Sequence, residues 1–301
     1  MDAVWIILTA SLIATSCGLL GAYLVLRKMA MVGDAISHAV LPGIVLAYLF
    51  SGSREALPML VGAAILGVLT TVIIELFYQK AKLQSDASIG ITFTWLFAIG
   101  IILISVFADQ VDLDQDCVLY GEIAYVPLDL WIGKSGMNMG PRSLWIAAGL
   151  LLIVLTFIRI SYKALFITTF HSAFAQSLGI AVGFWHYALM SAVSLSTVVA
   201  FESVGAILVV AFLVVPPAAA YLLTHELKKM LMLTAILATL SAVGGYFLSV
   251  WINGSIAGAM ASFAGIIFFV IWGYTQLKKR TKKHSYYEEL EKKDFVEELN
   301  Y

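Results

Sequence analysis

Gly33-Asp34-Ala35-Ile36-Ser37-His38-Ala39-Val40-Leu41-Pro42-Gly43 sets a carboxylate and an imidazole four residues apart at the head of a long apolar run. In a helix, side chains at i and i+4 share a face, with Cβ atoms about 5–6 Å apart. Such a pair can grip one metal ion. Residues 40–50 carry no charge, so the pair lies at or inside a membrane. Ionisable groups there are costly and mark function. Oxygen and nitrogen ligands suit Mn²⁺, Fe²⁺ and Zn²⁺. Without a thiolate, the pair reads as a transient site that releases its ion. The structural alternative is a histidine that hydrogen-bonds within the helix packing.

Composition extends the membrane reading to the whole chain. Hydrophobic residues make up 61% of the 301 residues and charged residues 12%, against about 25% charged in soluble domains. Mean hydropathy is +0.94. The net charge of −1 offers no basis for binding nucleic acid. Residues 1–277 read as one transmembrane domain and 278–301 as a charged cytoplasmic tail, either a solvated helix or a disordered end. Cys17 lies in an apolar run and Cys117 in a polar loop, so no disulfide framework is expected, and Cys17 reads as a packing residue. The uncharged run 3–26 is too long for the apolar part of a cleaved signal peptide and reads as a span.

A bilayer core takes about 20 apolar residues per helix. The runs are 3–26, 35–52, 57–77, 88–108, 143–158, 184–201, 203–224, 230–252 and 256–277. They predict an all-α, polytopic bundle of about nine spans, or eight if the short second or sixth run is broken or re-entrant. Lys and Arg gather in alternate connections: Arg27/Lys28, Lys80/Lys82, Arg159/Lys163, Lys228/Lys229 and the tail. The opposite connections hold only Arg54, Lys134 and Arg142. The excess marks the cytoplasmic side, which places the N-terminus outside and the C-terminus inside.

The external loop 110–141 carries Asp112, Asp114, Asp116, Glu122 and Asp129 among Tyr120, Tyr125 and Trp131. Its aromatics suit a membrane interface, and its carboxylates either are simply solvated or attract cations or a delivery protein. Gly258-x-x-x-Ser262 and Ala261-x-x-x-Gly265 place small residues one turn apart, as at close helix contacts within or between subunits. Pro216-Pro217 is expected to break or kink the seventh span. Glu75 is expected to snorkel or pair with Lys80 or Lys82, Glu202 to lie in an outer turn, and His186 to anchor at the interface. His171 and His225 fall on the cytoplasmic side.

Four segments resemble the metal-cation permeases of bacterial ABC importers, the ABC-3 family that takes up zinc, manganese or iron. The first is 33–43. The second is Asp86-Ala87-Ser88-Ile89-Gly90-Ile91, which looks like the segment opening the family's next span. The third runs from Val204 through Pro216 to Ala220 and looks like its proline-containing core helix. The fourth is 165–179, with Phe170 and Ala175-Gln176-Ser177-Leu178-Gly179, which resembles the loop that docks on the ATPase. The resemblance spans roughly residues 5–275 and implies that Asp34 and His38 carry the metal. It also implies a permease homodimer or heterodimer, cytoplasmic ATP-binding subunits, an extracytoplasmic metal-binding protein, and a place among the lipids of a bacterial plasma membrane.

In the docking segment, Phe170, His171, Ser172, Phe174, Gln176 and Gly179 are the coupling candidates. Thr168, Thr169 and Ser172 are helix-capping types, and Gly179 suits a helix stop. A short helix between Ser172 and Leu178 is therefore expected, with Phe170 and Phe174 free to fill a partner's groove. The family usually has Asp where His171 stands. Imidazole caps poorly, so Ser172 is the expected replacement. The plain alternative is an amphipathic connector lying on the membrane.

The chain has no nucleotide machinery of its own. Gly133-Lys134-Ser135 looks like the end of a P-loop, but position 128 is Leu rather than Gly. No HExxH motif occurs. The expectation is a transport subunit and not an enzyme, without a permanently bound cofactor, moving a divalent ion under ATP hydrolysis by a partner. Manganese comes first, since Tyr120-Gly121-Glu122-Ile123 and the 33–43 stretch look most like the manganese and iron branch; zinc and iron are alternatives. The rival classes are a secondary metal transporter, which needs coupling-ion carboxylates and internal repeats, and a membrane hydrolase, which needs a metal triad.

Overall fold

The computed structural model describes residues 2–52, 56–107, 123–132 and 138–298. Its helices are α1 (Asp2–Leu26), α2 (Val32–Ser51), α3 (Ala56–Lys80), α4 (Ser85–Phe107), α5 (Arg142–Phe170), the short α6 (Ser172–Ser177), α7 (Val182–Val204), α8 (Ala206–Leu223), α9 (Leu227–Ile252) and α10 (Ile256–Glu298). A 3-10 turn, Ile123–Leu128, precedes a small antiparallel hairpin of β1 (Leu130–Ile132) and β2 (Asn138–Pro141), with Leu130 opposite Pro141 and Ile132 opposite Asn138. Among the described residues, nine helices are long and apolar enough to cross a bilayer. Their outward faces are apolar as well: Phe50 is 89% exposed and Trp251 82% exposed. Water would penalise such a surface, whereas lipid does not.

α1 forms the core. It packs against α5, α7, α8 and α9, and Ala10, Ile13, Ala14, Cys17, Leu20, Tyr23 and Leu24 are buried on it. On one flank α8, α9 and α10 pack together; on the other, α2 lies between α3 and α4 and reaches the core through α7 and α8. Close approach depends on missing side chains. A methyl group on Gly62 would stand 2.5 Å from Ala47 Cβ, and one on Gly43 would stand 2.8 Å from the Gly62 carbonyl oxygen.

The structure corrects several expectations. The fifth span does not end near 158 but continues to Phe170, carrying the segment after it away from the apolar run. The second and sixth spans are continuous helices, Val32–Ser51 and Val182–Val204. Pro216-Pro217 does not break the seventh span, since both prolines lie buried within the helix Ala206–Leu223, where neighbouring helices cover the freed backbone groups. Within the chain a methyl group on Gly258 would meet only Ser255, and one on Gly265 nothing within 4 Å among the described residues. Methyl groups on Gly244 and Gly245 would instead run into Phe263 and Met260, so the close α9–α10 approach inside the subunit is at Gly244 and Gly245. Glu202 falls inside α7 rather than in a turn. Of the two readings of the tail, the helix is the one seen: residues 278–298 continue the last helix. Arg54, Asp112, Asp114, Asp116, Cys117, Tyr120, Gly121, Glu122 and Gly133-Lys134-Ser135 lie outside the described residues.

Candidate metal-ion site

Asp34 is the third residue of α2, and His38 is one turn further on. At a helix start the backbone N–H groups lack intrahelical partners, and the macrodipole favours a carboxylate. Asp34 therefore sits where its charge is least costly. His38 Nε2 stands 3.5 Å from Asp34 Oδ1, and each side chain is 33% exposed. Two donors about 2.0–2.2 Å from one ion stand roughly 3.0–3.5 Å apart, so this separation suits adjacent corners of a coordination sphere. Ser37 donates its hydroxyl proton to the Asp34 carbonyl at 2.7 Å, which fixes the turn between them.

The second wall is aromatic. The His38 ring lies 5.1 Å from Phe93 and 5.4 Å from Phe97, centroid to centroid, both on α4. These phenyl rings at i and i+4 confine the imidazole. The sequence analysis did not single them out, although their spacing was visible in the α4 run.

The pair is also deep. Gly33 lies so close to α8 that a methyl group on it would stand 2.8 Å from Leu213 Cδ2. Leu213 is the eighth of the 18 residues of α8, about 10 Å from one end and 15 Å from the other at 1.5 Å per residue. Val32, Ala35 and Ile36 are buried around it. The start of α2 thus lies inside the bundle, against the middle of α8. Among the described residues no group of three or more His, Cys, Asp or Glu could hold an ion, so Asp34 and His38 form a two-donor pair.

At the far end of α5 the segment 165–179 holds the short helix that its spacing predicts. α6 spans Ser172–Ser177 and ends on Gly179 in the left-handed region at φ 75°. The Ile180 N–H donates to the Ala175 carbonyl and the Gly179 N–H to the Gln176 carbonyl, both at 3.0 Å. This closure is the Schellman pattern. Ala175 is buried, while His171, Ser172, Gln176 and the apolar Phe170, Phe174 and Leu178 are exposed. The expected Ser172 cap is not made: His171 occupies the cap position without a side-chain bond, and Ser172 is the first helical residue.

Two other residues are relocated. Glu75 does not pair with Lys80 or Lys82. It is buried, and its Oε2 stands 2.9 Å from His186 Nε2. His186 is accordingly a bundle residue and not an interfacial anchor. Gln79 donates a second hydrogen bond to Glu75. Arg27, read from sequence only as a flanking charge, reaches His186 as well.

The model of the ABC 3 transport family matches residues 3–275. The chain belongs to the ABC 3 transport family. It is 49% identical over 264 residues to the manganese transport system membrane protein MntD of Bacillus subtilis, covering 88% of this chain and 89% of that protein. It is 42% identical over 273 residues to the zinc transport system membrane protein TroD of Treponema pallidum, covering 89% and 72%. Among solved structures, PsaBC from Streptococcus pneumoniae in complex with Fab superposes with a TM-score of 0.73 at 32% identity, covering 91% of this chain and 94% of that one. Membership in the ABC 3 transport family makes this chain a multi-pass transport subunit of an ABC system rather than an enzyme.

Proposed function

We propose that this chain is the permease of an ATP-driven importer of divalent transition-metal ions in a bacterial plasma membrane, with manganese as its first cargo. The Asp34–His38 pair carries the reading. It lies at the start of α2, inside the bundle against the middle of α8, its donors stand 3.5 Å apart, and it offers two ligands. A second permease, as homodimer or related heterodimer, brings a matching pair, and two carboxylates then balance a divalent charge. Hard oxygen with imidazole accepts Mn²⁺, Fe²⁺ and Zn²⁺. Manganese is preferred because the B. subtilis relative is named for it; the T. pallidum relative is named for zinc.

Orientation follows the positive-inside rule, with the N-terminus outside and the connections bearing Arg27/Lys28, Lys80/Lys82 and Lys228/Lys229 inside. On that side Phe170 at the end of α5, Phe174 on α6 and Leu178 just after it face an ATPase subunit, and an extracytoplasmic binding protein delivers the ion opposite. ATP-driven closure of the ATPases alternates the access of the Asp34/His38 site.

Uptake by the reconstituted permease–ATPase complex, with Mn²⁺, Zn²⁺ and Fe²⁺ in competition, tests the reading. ATP-dependent Mn²⁺ uptake is expected, lost in Asp34→Ala and in His38→Ala while both variants reach the membrane. Normal transport by both variants, or uptake driven by an ion gradient without ATP, refutes it.

A further inference from the structure

A second cluster of polar side chains lies away from the candidate metal site. Arg27 follows α1 directly. Its Nε donates to Thr169 Oγ1 and its Nη2 to Thr168 Oγ1, each at 3.1 Å, and its Nη1 stands 3.3 Å from His186 Nδ1. A guanidinium only donates, so Nδ1 accepts. The imidazole proton is therefore on Nε2, facing Glu75 Oε2 at 2.9 Å. Thr168 passes its own hydroxyl proton to the Ala164 carbonyl at 2.8 Å, leaving its oxygen to accept from Arg27. A continuous run of hydrogen bonds thus leads from the guanidinium through the imidazole to a carboxylate.

The backbone under Arg27 is fixed as well. The Met29 N–H donates to the Leu24 carbonyl at 2.9 Å and the Lys28 N–H to the Val25 carbonyl at 3.1 Å. This Schellman closure forces Lys28 into the left-handed region at φ 59°. Four residues later α2 begins at Val32, and with it the helix carrying Asp34. On the other side, Thr168 and Thr169 end one residue before Phe170, at the threshold of α6. Arg27 therefore bridges the docking segment and the turn that leads into the metal-bearing helix, while His186 and Glu75 tie the same guanidinium to α7 and α3.

We infer that Arg27, His186 and Glu75 form a positioning relay that transmits displacement of α6 to the start of α2. None of the three touches the ion; they act through the helix that holds it. A second cation station at Glu75 and His186 is disfavoured, because both ring nitrogens are engaged and a guanidinium stands within 3.3 Å. A buried network of this kind is stiff only while each member is satisfied, so loss of its central ring should loosen the link without removing either end. The inference rests on the reading of α6 as the ATPase dock.

The test uses the full permease–ATPase complex in proteoliposomes, reading two quantities: ATPase retained on the purified permease, and Mn²⁺ ions moved per ATP hydrolysed. His186→Phe keeps the ring's shape and removes both polar atoms; Arg27→Lys keeps charge and loses the fork; His186→Gln keeps a donor and an acceptor. His186→Phe and Arg27→Lys are expected to retain the ATPase but lower the ions moved per ATP by at least about fivefold, the lower end of coupling between linked sites. His186→Gln is expected to recover much of the loss. An unchanged ratio in both His186→Phe and Arg27→Lys overturns the relay. Failure of the docking reading looks different: Phe174→Ala would then leave the ATPase bound as in the unaltered protein. The unaltered complex gives a measurement that needs no substitution. On trapping the ATPases with ATP and vanadate, hydrogen exchange at 28–33 and at 168–177 is expected to change together. A change in one segment without the other overturns the relay.

Discussion

The ring of Pro42 in α2 fills the space where Gly100 of α4 lacks a side chain. A methyl group on Gly100 would stand 2.9 Å from Pro42 Cδ and 3.1 Å from its nitrogen. The contact aligns α2 with α4 one turn beyond His38, whose ring meets Phe93 and Phe97 on the same neighbour. Replacing Gly100 by Leu should push α2 off α4 and withdraw His38 from its aromatic wall. Overpacking of this kind costs about 1–3 kcal/mol. The expected result is an inserted protein with a lower melting temperature in detergent and weakened Mn²⁺ binding by titration calorimetry on the complex. Unchanged affinity would show that α4 does not hold the imidazole in place.

Pro42 also has no N–H to give the His38 carbonyl, four residues earlier. Pro42→Ala supplies that donor and removes the ring from the Gly100 notch. A helix-interior proline costs about 3 kcal/mol in water, so some of that stability is expected back as a higher melting temperature. Uptake is expected to fall, because emptying the Gly100 notch lets α2 shift against α4, which carries the Phe93 and Phe97 wall of His38. A variant both more stable and fully active would separate the proline from the site.

Phe174 is 57% exposed on α6, above the buried Ala175. Phe174→Ala removes apolar area that is more than half exposed among the described residues. Folding stability should shift by no more than about 0.5 kcal/mol, as for other surface changes, while co-purification of the ATPase should drop sharply. Pull-down at matched permease levels reads this directly.

Lys28 holds a left-handed backbone without being glycine. Such residues carry strain of about 1–3 kcal/mol. Lys28→Gly should therefore be neutral or raise the melting temperature, with transport retained. Lys28→Val, β-branched in the same conformation, should destabilise the turn and reduce transport through the α2 start. Equal melting curves for the two variants would mean that the closure under Arg27 is not strained.

Much of the fold was legible in the chain because the deciding forces are local. Apolar run length and the placing of Lys and Arg mark the spans, and among the described residues nine helices follow in the expected order. The Asp34–His38 pairing needed only helical periodicity. The α6 stop needed only Gly179, whose positive φ is met by the residue type that tolerates it. The end of the fifth span was not legible, because Ser161, Lys163, Thr168 and Thr169 look polar in sequence, yet Ser161 and Thr168 are buried against neighbours.

The remaining parts of the site depend on how each helix is rotated about its own axis. α3, α4 and α7 are apolar on nearly every side, so no amphipathic stripe reveals which face turns inward. Sequence alone therefore determined that this protein crosses a membrane many times and carries an acid and an imidazole on one helical face. Only the tertiary structure decided that the pair stands inside the bundle against Phe93 and Phe97, and that Arg27 meets His186 across 159 residues of chain. A transfer free energy is a property of adjacent residues, whereas a contact between distant helices is fixed by how missing and bulky side chains interlock.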